Sequence, residues 1–131
     1  MRKQGKLYDT RFFFEHYYSN DSKALEKTKQ EIKLTKRKYI SAIVLHELHL
    51  LTLGKDGRET AELRINLLTK DFTTVNVNRQ IAETSAELRH RTNIPMADSM
   101  IAATAKQLNL TCVTDDPHIT KIKEIKTSWI T

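Results

Sequence analysis

Cysteine is all but missing from this chain. Cys112 stands alone, which excludes an internal disulfide and a cysteine-rich zinc site. It sits between Thr111 and Val113 in a β-type run and reads as a small core residue rather than a reactive thiol. Long apolar runs are missing too, since none reaches the ~18 residues that a membrane helix needs. No repeat, linker or low-complexity tract interrupts the 131 residues. That length fits one domain, 1–131, with a core of its own. The sequence also predicts no secretory signal. Residues 1–6 are basic, but Leu7-Tyr8-Asp9-Thr10-Arg11 follows with charge where an apolar stretch would be needed. This predicts a cytoplasmic protein with no membrane partner.

Positive charge, by contrast, is abundant. The chain carries 22 Lys and Arg against 16 Asp and Glu, a net charge of +6. If four of the acids share one site, twelve remain against 22 basic residues, an excess of ten elsewhere. A basic exterior around an acidic hole suits a polyanion, because phosphates are drawn to its rim.

Short β-type runs alternate with helical patterns along the whole chain. Leu7-Tyr8 ends a first strand, and Arg11–Tyr18 forms an aromatic-rich helix that reads as buried. Asp21 or Ser22 caps a second helix running to about Lys36, with Leu25, Thr28, Ile32 and Thr35 on one stripe and lysines elsewhere. Tyr39-Ile40 is a strand, and Ser41 caps an apolar helix from Ala42 to Leu53 that Gly54–Gly57 terminates. Glu59–Thr69 reads as amphipathic, with Leu63, Leu67 and Leu68 inward. Phe72–Val77 is a strand, and Asn78 caps a helix with Ile81, Ser85 and Leu88 on one face. Pro95 precedes a small-residue helix in which Ala97, Ile101, Ala105 and Leu108 share a face. Leu110–Val113 is a strand, Pro117–Ile122 a short helical piece and Ile125–Ile130 a last strand, with Trp129 as a packing anchor. The alternation predicts an α/β fold: a three-layer α/β/α sandwich with a central, mainly parallel sheet.

Four acids fall where strands end or helices begin: Asp9, Glu47, Asp98 and Asp116. In such a sheet those ends face the edge where ligands bind. Each acid alone has a plainer reading. Asp9 caps a helix, Asp98 complements a helix dipole, and Asp115 and Asp116 are turn residues before Pro117. Glu47 differs, because it interrupts the apolar run Ile43-Val44-Leu45-His46-Glu47-Leu48 and a lone buried carboxylate is costly. Gathered together, the four would suit Mg²⁺ or Mn²⁺, which prefer oxygen donors. Without a cation they repel, so at least one should hold a proton. The run His46-Glu47-Leu48-His49 lacks one residue of the spacing that a zinc-protease helix requires.

Four blocks carry this pattern: Leu7-Tyr8-Asp9-Thr10, Ser41 to Leu48, Ile94 to Ala105, and Val113 to Ile119. Together they resemble the PIN-domain nucleases, and most closely the VapC-type toxins of toxin–antitoxin pairs. The resemblance implies a PIN-like fold and a metal-dependent endoribonuclease with Mg²⁺ or Mn²⁺ as cofactor. It assigns Asp9, Glu47, Asp98 and Asp116 as catalytic and metal-binding residues. Thr10 and Thr114 take the place of small hydroxyl residues that steady the acids, and Asp115 that of a helper. It further implies an RNA substrate, a cognate antitoxin and a homodimer. One departure stands out: Arg11 occupies a position where the family usually has a small polar residue. Arg11 and His118, the latter beside Asp116, are candidate substrate contacts. Two alternatives remain at this point, a non-catalytic RNA- or protein-binding module and a housekeeping RNA-processing nuclease.

Overall fold

The computed structural model describes residues 5–130. Residues 1–4 of the basic N-terminal segment lie outside them. Five strands alternate with seven helices in the order β1 (Lys6–Tyr8), α1 (Thr10–Tyr18), α2 (Ser22–Leu34), β2 (Lys38–Ser41), α3 (Ala42–Asp56), α4 (Arg58–Asp71), β3 (Thr73–Val75), α5 (Arg79–Thr92), α6 (Met96–Leu108), β4 (Thr111–Val113), α7 (Pro117–Thr120) and β5 (Thr127–Ser128). The sheet order is β3-β2-β1-β4-β5, and every pairing is parallel. The expected α/β sandwich is therefore present, and the sheet is parallel throughout rather than mainly so.

Strand burial follows from this arrangement. Leu7, Tyr8, Ile40, Cys112 and Val113 are fully buried, as central parallel strands covered by helices must be. Tyr8 packs its ring 4.8 Å from Phe12 and 5.3 Å from Phe72, tying β1 to the aromatic face of α1. In α6, small residues let the helix sink into the fold: Ser99 and Ile101 to Ala105 are all buried. Ser99 Oγ meets Ser85 Oγ of α5 at 2.7 Å. The chain goes from β1 outward to β2 and β3, then returns to the other side of β1 for β4. The strand order thus reverses between β1 and β4. Ligands in open α/β sheets bind beyond the strands' carboxyl ends at such a crevice.

Several local expectations need correction. Leu63 and Leu67 face solvent at 59% and 57% exposure; α4 buries Ala61 and Leu68 instead. Leu108, at 45%, is likewise exposed. Phe72 and residues 76–77 lie outside β3, and the last strand shrinks to Thr127–Ser128. Helix α3 runs through Gly54 to Asp56, and Gly57 ends it. Gly57 has φ of +89° and ψ of 174°, a region that side chains other than glycine's scarcely reach. It closes α3 and opens α4 in a single residue. Gly57→Ala should therefore cost about 1–3 kcal/mol in urea unfolding, although open space surrounds the missing Cβ.

Candidate active site

The reversal between β1 and β4 brings the sequence's dispersed acids together. Asp9 follows β1 directly and caps α1, its Oδ1 accepting the Thr10 N–H at 2.8 Å. Glu47 projects from the second turn of α3. Asp98 lies in the first turn of α6, and Asp116 caps α7 by accepting the His118 N–H at 2.9 Å. Asp9, Glu47, Asp98 and Asp116 line one cavity of about 270 Å³, with Thr10, Arg11 and Phe14 completing its wall. The plainer reading of Asp9 and Asp116 as helix caps is also true of the structure. The capping bonds hold these two carboxylates at the cavity.

Two threonines tie the acids to one another. Thr114 Oγ1 donates to Asp9 Oδ2 at 2.6 Å and accepts the Asp116 N–H at 3.0 Å. Thr10 Oγ1 donates to Glu47 Oε1 at 2.7 Å. Glu47 is half-buried, so the argument from a fully buried lone carboxylate does not apply to it. Its partner is a hydroxyl, which leaves its charge uncompensated. Asp115 turns away from the cavity and receives a two-pronged bond from Arg11, at 3.0 and 3.1 Å. His118 sits at the rim with Nδ1 3.1 Å from Asp98 Oδ2. Phe14 escaped the sequence reading, which placed it with its neighbours in the core. Three consecutive aromatics on a helix cannot all face inward, and Phe14 is 38% exposed at the cavity.

Burial and like charge both act on these acids. Burial, with further contributions from Asp98 and Asp116, pushes Asp9 from an ordinary 3.8 up to about 6. Its bonds from Thr114 and Thr10 only partly offset this. Asp98 is raised as well, by burial first and then by Asp116, despite the opposing pull of His118. Among the described residues, no Lys or Arg donates to any of the four acids. Glu31, on α2, shows the contrast. Burial works against its charge, yet bonds from Thr35, Lys6 and Tyr8 outweigh it and lower its pKa. Thr114→Val should remove Asp9's buried donor and leave the Asp116 N–H unpaired. We expect a loss of about 1–3 kcal/mol in chemical denaturation.

Other sequence features take structural places. Cys112 is buried, and its thiol pKa is pushed well up by burial. Trp129 packs against the core. His46 and His49 join no cluster; the one His-containing acidic group among the described residues is Asp98, Asp116 and His118. No described helix is long and apolar enough to cross a membrane. A larger groove of about 790 Å³ runs between α2 and Trp129–Ile130. Its acids, Glu26 and Glu31, lie among lysines, so it lacks the uncompensated charge of the smaller cavity.

Solved structures share this architecture. VapBC-1 from nontypeable Haemophilus influenzae superposes with a TM-score of 0.81 at 19% identity, covering 95% of this chain and 97% of that one. DNA-bound VapBC from Salmonella typhimurium gives 0.80 at 18%, covering 98% and 100%. Mycobacterium tuberculosis VapC20, described as a sarcin-ricin loop cleaving toxin, gives 0.75 at 16%, covering 89% and 94%. At these identities the likeness establishes the fold. Among curated proteins, no sequence matches the chain significantly. The sequence profile of the PIN domain, however, matches residues 6–125. A match over nearly the whole length places this chain in the PIN-domain family.

Proposed function

We propose that the protein is a metal-dependent endoribonuclease, a VapC-type toxin that hydrolyses RNA phosphodiester bonds. The observation that carries this reading is the convergence of four carboxylates from four distant segments on one cavity, with no Lys or Arg bonded to them among the described residues. Such a donor set fits Mg²⁺ or Mn²⁺: it is rich in hard oxygen, and burial first, then the neighbouring acids, raise Asp9 and Asp98. Asp9, Glu47, Asp98 and Asp116 would hold the ion. When bound, it would supply Lewis acidity toward the phosphodiester and a water activated for in-line attack.

The residues themselves do the positioning. Thr114 fixes Asp9 relative to Asp116, and Thr10 fixes Glu47 relative to the start of α1. Arg11, 46% exposed at the mouth, presents a guanidinium to an incoming phosphate while Asp115 holds its orientation. The basic excess elsewhere on the chain draws RNA toward this rim.

The toxin assignment and its partners follow from kinship. The similar structures from Haemophilus influenzae and Salmonella typhimurium are VapBC, which supports a cognate antitoxin here; the homodimer rests on the family resemblance alone. An apolar hollow beside Glu47 offers partner surface. It is lined by Ile43, Leu50, Leu51, Met96 and Met100, with Leu50 63% and Met96 56% exposed.

The test is incubation of the purified chain with fluorescent single-stranded RNAs in Mg²⁺, Mn²⁺ or EDTA. Metal-dependent cutting is expected. RNA binding that ignores the chelator and yields no product would instead favour a non-catalytic binding module.

A further inference from the structure

We propose that His118 is itself a metal ligand, so that this centre is a mixed nitrogen–oxygen site and not a purely carboxylate one. The inference rests on the reading of the acids as a metal centre and goes beyond it. It makes the site selective for transition ions over Mg²⁺.

The geometry begins with a cap. Asp116 Oδ1 accepts the His118 N–H at 2.9 Å, and Pro117 between them stiffens the first turn of α7. This folds the imidazole back over the carboxylate that caps its own helix. His118 Nδ1 then lies 3.1 Å from Asp98 Oδ2 and 3.3 Å from Asp116 Oδ1. Donor atoms on all three residues fall within 4.8 Å of one another.

The two separations from His118 match the edges of a coordination shell. Two donors each about 2.1 Å from one cation, at tetrahedral or octahedral angles, stand roughly 3.0–3.4 Å apart. Without a cation, the hydrogen shared between Nδ1 and the carboxylates spans that gap. A cation seated among the three residues would take the place of that hydrogen. The His118 side chain is 53% exposed, so an ion can approach past it, whereas Asp98 and Asp116 are 17% and 21% exposed and well fixed.

The consequence lies in the choice of ion. Imidazole suits transition ions and adds little for Mg²⁺, and affinity at nitrogen-containing sites rises from Mn²⁺ to Ni²⁺. Calorimetric titration of the whole chain with Mg²⁺, Mn²⁺ and Ni²⁺ tests this, comparing wild type with His118→Asn and His118→Ala. Asparagine keeps an N–H near the Nδ1 position, so a merely positioning role would survive in it. As a ligand, His118 predicts a fall of roughly 10–100-fold in Ni²⁺ affinity in both variants, a smaller fall for Mn²⁺ and about twofold or less for Mg²⁺. Pulsed electron paramagnetic resonance of the Mn²⁺-loaded protein should show coupling to a ligating ring nitrogen that His118→Asn abolishes.

Equal losses for all three ions, full retention in His118→Asn, or no nitrogen coupling in the wild type would each overturn the proposal. In any of these cases wild-type binding that Asp98→Asn destroys would leave the carboxylate centre standing. A wild type that binds none of the ions would overturn both.

Discussion

Asp98→Asn is expected to lower RNA cleavage by about 10³-fold or more, the scale of loss when a group that stabilises the transition state is removed. The substitution keeps the shape of the side chain in the first turn of α6. It removes one negative charge from a cavity whose function, on this account, is to hold a cation. Folding should not suffer. Burial and Asp116 raise the Asp98 pKa, so its charged form is disfavoured where it stands. The metal-free variant should melt at the wild-type temperature or above it. Rates measured at saturating Mn²⁺, with thermal melts of the same samples, separate the two effects. A variant that retains roughly a tenth or more of the activity would remove Asp98 from the cleavage machinery.

The second large effect concerns Asp9 and runs against the usual outcome of changing a buried residue. In EDTA at neutral pH, Asp9→Asn should be more stable than the wild type. Asp9 is 3% exposed, and its pKa is lifted from 3.8 to about 6 by burial first and then by Asp98 and Asp116. An acid whose folded pKa lies above its unfolded value binds more protons when folded. Its contribution to stability is therefore present at low pH and is lost as pH rises from about 4 to about 6. The shift corresponds to about 3 kcal/mol at neutral pH. The advantage of Asp9→Asn should approach that size above pH 7 and vanish below pH 4, as read by urea denaturation across the range. A divalent ion should reverse the order, because it stabilises the wild type through the carboxylate that the variant lacks. Cleavage should weaken below about pH 6 for the same reason, since a proton on Asp9 competes with the ion. A variant no more stable than the wild type at any pH would show that Asp9 carries no such burden.

The legible part of this fold was the alternation of short β runs with capped helices. Caps at Asp21, Ser41 and Asn78 accept the amides that their positions require, and Ile81, Ser85 and Leu88 are buried on one face. Helix α4 was misread because its apolar residues form two stripes. Leu63 and Leu67 stand one turn apart and imitate a core face, whereas Ala61 and Leu68 are the pair turned inward. Sequence spacing cannot choose between two stripes when the packing partner, here α3, is unknown. The candidate site was legible as a set of acids at element ends. Its geometry was not, because the reversal between β1 and β4 is a property of strand order. The pairing of Arg11 with Asp115 spans 104 residues and leaves no local trace. Nor could the sequence tell that the cap on α7 would swing His118 toward Asp98.

The central expectation is an ion among these carboxylates, and anomalous diffraction from crystals soaked in saturating Mn²⁺ shows it directly. A strong peak is expected inside the cavity bounded by Asp9, Glu47, Asp98 and Asp116. An ordered cavity without a peak, or a peak confined to other surfaces, would contradict it.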